Sequence, residues 1–159
     1  MGPNREKVAE HATRSISLDS GLLEQLDGGF DCAAACAAKA FDDAERGTDI
    51  GERFEAGLRA VLEAAAAQPD LTRLCLVEAP GLGAKALERK DAGLQRFVDL
   101  LDGELARKRG GQAPPLVSEM IVGGIYEVLQ RSVRAGDIAS LPELASQLRQ
   151  LWLPALRGH

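Results

Sequence analysis

Aromatic side chains are scarce in this chain: four phenylalanines, one tyrosine and one tryptophan among 159 residues. Its core must therefore come from Leu, Val, Ile and Ala, within a hydrophobic content of 45%. Histidine is scarcer still, with only His11 and the last residue, His159. No Glu-x-x-His pair exists, which excludes a di-iron bundle. Gly-x-Ser-x-Gly elbows and phosphate loops are also missing. The glycines at Gly81 and Gly83 follow no strand, so they make no dinucleotide fingerprint. No enzyme is expected, and no metal or cofactor. An odd count of three cysteines, without a charged-then-apolar leader, leads one to expect reduced thiols rather than a disulfide framework. No apolar run approaches the roughly 18 residues of a membrane span, so a cytoplasmic protein without a membrane partner is expected. A formal net charge of -5 argues against a surface that grips nucleic acid all round.

What remains is rich in alanine, leucine and interspersed charge, and nowhere alternates with the period of a strand. The chain reads as all-α. Arg5 to Ala12 and Gly21 to Leu26 suggest two short helices, the second stopped by Gly28-Gly29. Phe30 to Glu45 is an alanine-rich helix. Cys32 and Cys36 share one of its faces; a metal site would need more ligands, so they are read as small core residues. Arg46-Gly47-Thr48-Asp49 ends this helix and caps the next, Ile50 to Ala67, which carries Phe54, Leu58, Val61 and Leu62 on one face. Pro69-Asp70 opens the apolar stretch Leu71 to Ala79. In it Cys75 reads as buried and inert, while Glu78 faces either solvent or a cavity. Ala84 to Lys108 is long and amphipathic, with Leu94, Phe97, Val98 and Leu101 in register. Ile138 to Leu156 forms the last helix, with Pro142 in its first turn and Pro154 near its end.

The stretch Pro115 to Val133 organises the rest. Leu116, Met120, Ile121, Ile125, Val128, Leu129 and Val133 follow the three-and-four spacing of a helix face. Gly123 and Gly124 interrupt it, each costing about 1 kcal/mol relative to alanine. A second helix lying close against them would offset that cost, in this chain or in a second subunit. Gly123, Gly124, Val128, Leu144, Leu148, Leu151 and Trp152 are the candidates for a homodimer interface. Small residues such as Ala64 to Ala67 fill little volume and can leave a cavity for a hydrophobic ligand. Phe54, Leu58, Leu62, Leu74, Glu78, Phe97 and Tyr126 are the candidate lining, with Glu78 and Tyr126 supplying polar groups.

Phe54 to Leu101, which includes LCLVEAP, resembles the regulatory domain of tetracycline-repressor-like (TetR/AcrR) transcription regulators. Pro114 to Leu144, which includes GGIYEVL, continues the resemblance. The resemblance implies an all-α ligand-binding domain over residues 30–159 whose last two helices pair with those of a second subunit. Small-ligand sensing among the middle helices is implied too. The front of the chain departs from the family. Val8 to Ala12 resembles the start of the second helix of the DNA-reading unit, and Gly21 to Cys32 the end of its recognition helix. On that alignment Leu23 stands where a tyrosine is usual and Gly29 where a lysine is usual. Met1 to Gly29 carries three basic residues, Arg5, Lys7 and Arg14, against five acidic ones, a net of -2. Phosphate contacts supply most non-specific DNA affinity, so residues 1–29 read as a helix-turn-helix remnant with DNA binding weakened or lost. A working repressor whose start lies further upstream is the alternative, and a helical interaction module without a ligand is another.

Overall fold

Gly28 and Gly29 do not stop a helix. In the computed structural model, which describes residues 4–45 and 47–158 and the side chains from residue 20 onward, helix α1 runs unbroken over Asn4–Asp43. The two short helices and the alanine-rich helix expected after them are corrected to one element, and the division expected at residue 29 falls inside it. Packing explains the difference. Leu26 and Phe30, on either side of the glycines, are both buried, and Leu22 and Leu23 pack beside them. Burying two such side chains outweighs the helix cost of two glycines, since each is worth about 1.5–3 kcal/mol. The side chains of Val8 to Ala12, and the residue His159, lie outside the described residues.

Helix α2 spans Ile50–Ala67, and the Asp49 side chain caps it by accepting from the Gly51 N–H at 2.9 Å. Helix α3 (Pro69–Arg73) leads into a π-helical turn, Leu74–Glu78, and a 3-10 turn, Ala79–Gly81, in place of the single helix expected there. Proline is the local cause. Pro80 has no N–H to offer the carbonyl four residues back, that of Leu76. Helix α4 (Ala84–Arg109) ends on Gly110 with φ 67. Helix α5 (Val117–Arg134) is the central glycine-bearing helix. After a 3-10 turn at Leu141–Glu143, helix α6 (Leu144–Arg157) ends one turn beyond Pro154. Among the described residues there is no strand, and no helix is long and apolar enough to cross a membrane.

Two hydrophobic clusters form. The larger joins α2, α4, α5 and α6 through wholly buried Leu62, Leu105, Ile121, Leu141 and Leu156. The smaller joins α1, the π turn and α4 through Leu26, Phe30, Leu74, Cys75, Ala79 and Ala86. Arg53 and Glu104, both buried, pair at 2.8 Å, and Arg53 also donates to the Phe41 carbonyl at 2.7 Å, tying α1, α2 and α4 together. Cys32 and Cys36 belong to neither cluster. Cys32 is exposed and Cys36 half-buried, which corrects their assignment to the core.

Candidate functional site

A cavity of about 160 Å³ lies at the seam of the two clusters. Its walls come from α1 (Phe30, Ala37, Phe41), α2 (Phe54, Leu58, Val61, Ala64, Ala65), the α3–π segment, α4 (Phe97, Leu101) and α5 (Ile121, Ile125, Tyr126). Small residues set its volume, among them Ala33, Ala37, Ala64 and Ala65, as the alanine-rich stretches lead one to expect. Two glycines seat the rings. A Cβ on Gly57 would lie 2.6 Å from the Phe41 ring, and one on Gly93 only 2.3 Å from Phe30. Each ring therefore packs directly on the backbone of a neighbouring helix, a position no larger residue leaves open.

No Asp, Glu, Lys or Arg lines the cavity. Its polar side chains are Gln68, Thr72, Cys75 and Tyr126, and two of these are already engaged. Thr72 Oγ1 donates to the Ala65 carbonyl at 2.7 Å. Tyr126 donates its hydroxyl to the Leu76 carbonyl at 3.2 Å, and Gln130 Nε2 donates to the same oxygen at 2.9 Å. This is the carbonyl for which Pro80 supplies no N–H, so the irregular turn and the tyrosine share one cause. Desolvation raises the Tyr126 hydroxyl above its ordinary value, and Lys90 Nζ lies 5.4 Å from the centre of its ring. Burial pushes the Cys75 thiol up to about 11. A wall with no charge and few free polar atoms is unsuited to holding an ion.

Of the residues singled out from sequence, Phe54, Leu58, Phe97 and Tyr126 line the cavity. Three do not. Leu62 is wholly buried inside the larger cluster, Leu74 sits in the smaller one, and Glu78 is exposed at the end of the π turn. Of the two readings for Glu78 the solvent one holds and its place in the lining is corrected: it is the exposed last residue of the π turn, between half-buried Val77 and buried Ala79. Phe30 and Phe41 were missed. With Ala34 and Ala37 between them they form a stripe at helical spacing, a signal present in the sequence.

The central glycines divide. A Cβ on Gly124 would lie 2.8 Å from Trp152 of α6, so its close partner is this chain's own indole. A Cβ on Gly123 would meet nothing. Leu148 is buried within the chain, which removes it from any surface contact. Val128, Leu144 and Trp152 are half-buried against the larger cluster. Leu151 is 65% exposed and Met120 64%. Outward-facing Gly123, Met120 and Leu151 are thus what α5 and α6 offer a partner. No protein family, no curated protein and no solved structure matches the chain.

Proposed function

We propose that this chain is a sensor module of the tetracycline-repressor-like kind, which binds a small apolar molecule in the seam cavity and homodimerises through α5 and α6, with DNA binding weakened or lost. The observation that carries the reading is the uncharged cavity walled by α1, α2, the α3–π segment, α4 and α5. Ordinary helical packing fills such a space, since one unfilled methyl-sized void already costs about 1 kcal/mol. Size selects the ligand. An engineered apolar cavity of about 150 Å³ holds benzene, so the cavity here matches one aromatic ring or a short hydrocarbon. The unbroken α1 supports the loss of DNA reading, because a helix-turn-helix needs a turn where this helix has none.

The test is thermal unfolding with single-ring aromatics and short alkanes, on the wild type and on Ala64→Leu, which fills the cavity. A ligand at about 100 times its Kd should stabilise the wild type by about 2.7 kcal/mol, and Ala64→Leu should lose that gain. No stabilisation by any probe, or equal stabilisation of the filled variant, overturns the reading in favour of a ligand-free helical interaction module.

A further inference from the structure

Cys32 and Cys36 stand one helical turn apart on α1, the first exposed and the second half-buried. Neither lines the cavity. We propose that this pair is a clamp for a soft, thiophilic centre with two replaceable positions, such as a trivalent arsenic carrying one carbon substituent.

Ligand number comes first. Among the described residues no three of His, Cys, Asp and Glu come together in a metal-holding group. A structural zinc takes four ligands, so two sulfurs leave it unsatisfied. Soft centres favour thiolate sulfur, and those with only two open positions are complete with a pair.

Geometry then decides between a bridged centre and a direct disulfide. Residues four apart on a helix hold their Cβ atoms about 5–6 Å from one another. A disulfide requires about 3.5–4.5 Å. Closing a direct S–S bond would therefore distort α1, whereas one atom inserted between the sulfurs lengthens the bridge to suit the undistorted helix. The helix is continuous here, and Ala33 and Ala37 on the adjoining face are packed at the cavity wall. The two Cα–Cβ bonds are thus held in register before anything binds.

Charge selects the kind of centre. Burial first, and then the neighbouring Cys32, raises the Cys36 thiol above its ordinary range, so its neutral form is favoured. A monovalent ion held by two thiolates would leave a net negative charge at a half-buried position. A monosubstituted arsenic leaves none. Two S–H and two As–OH bonds break, two As–S bonds form, and each thiol proton leaves with a hydroxide as water. Arsenic stays trivalent and the adduct is neutral. Cys75 cannot take part in the clamp: it is buried, and its Sγ packs where a Cβ on Gly29 would lie, at 2.7 Å.

The test uses phenylarsine oxide on the full chain in excess monothiol. Intact mass should show one phenylarsenic per chain. Cys32 and Cys36 should be protected from N-ethylmaleimide, while Cys75 labels only in denaturant. Closing a second bond within one molecule raises avidity about 10²–10⁴-fold, so Cys32→Ser and Cys36→Ser should each lower the monothiol concentration that strips the adduct roughly 100-fold. Cys75→Ser should change nothing. Helicity by circular dichroism establishes that the variants fold, and Cys32→Ala serves as a second replacement at the exposed position. Failure of the wild type to retain arsenic, or retention undiminished in either serine variant, overturns the proposal. Mild peroxide yielding an intrachain Cys32–Cys36 disulfide as readily as arsenic is captured would overturn its geometric basis.

Discussion

Arg53 reaches Glu104 with two nitrogens, Nε at 2.8 Å and Nη2 at 3.2 Å, in a setting that hides both side chains from water. Paired, the two charges roughly offset the cost of their own desolvation; separated, they do not. Glu104→Ala strands a buried guanidinium and should cost about 3–5 kcal/mol in urea unfolding. The same change at exposed Glu127 should leave the midpoint where it is. An equally small loss at both positions would mean that water reaches Arg53. Cys75 makes the second residue-scale prediction. Its thiol keeps its proton up to about 11 in the folded state, against 9.0 for an ordinary thiol. Between those values the unfolded chain gives up a proton that the folded chain retains, so stability is full below pH 9.0 and falls as pH rises towards 11. Tyr126, also raised by desolvation, adds to the same alkaline decline. In Cys75→Ala the fall should be shallower, and equal slopes would show that the thiol is solvated.

At the scale of elements, α1 is the instructive case. Glycine pairs often end helices, and read locally Gly28-Gly29 is such a stop. What overrides it is burial of Leu26 and Phe30 against the π turn and α4, contacts tens of residues away in the chain. Gly28 itself faces open space, whereas Gly93 lies under the Phe30 ring. Gly28→Ala should therefore stabilise the protein by about 0.5–1 kcal/mol, while Gly93→Ala should destabilise it by displacing Phe30. A neutral Gly28→Ala would restore the stop. Helices α2, α4 and α5 were legible because their signals are local, whereas α6, expected from Ile138, starts only at Leu144 after the 3-10 turn that holds Pro142. The Asp49 cap, the Gly110 end of α4 and the apolar faces of α2 and α5 need no distant partner to be recognised. Pro80 marks the irregular turn locally, but the partners that satisfy the Leu76 carbonyl, Tyr126 and Gln130, arrive from α5 and were not legible.

Across the whole molecule, the apolar surface that α5 and α6 leave uncovered is what a second copy would bury. Met120 and Leu151 are its large exposed side chains, beside outward-facing Gly123. If the chain dimerises there, Leu151→Glu should halve the mass seen by light scattering without loss of helicity; an unchanged mass would place the contact elsewhere. Helical class and the boundaries of α2, α4 and α5 were written in composition and periodicity, because these depend on each residue's own preferences and on near neighbours. The part α1 plays in the cavity wall, the outward turn of Cys32, and the choice of Trp152 as the partner of Gly124 were not. Each depends on which helix faces come together in space, and a one-dimensional pattern marks a face as apolar without naming the face that will cover it.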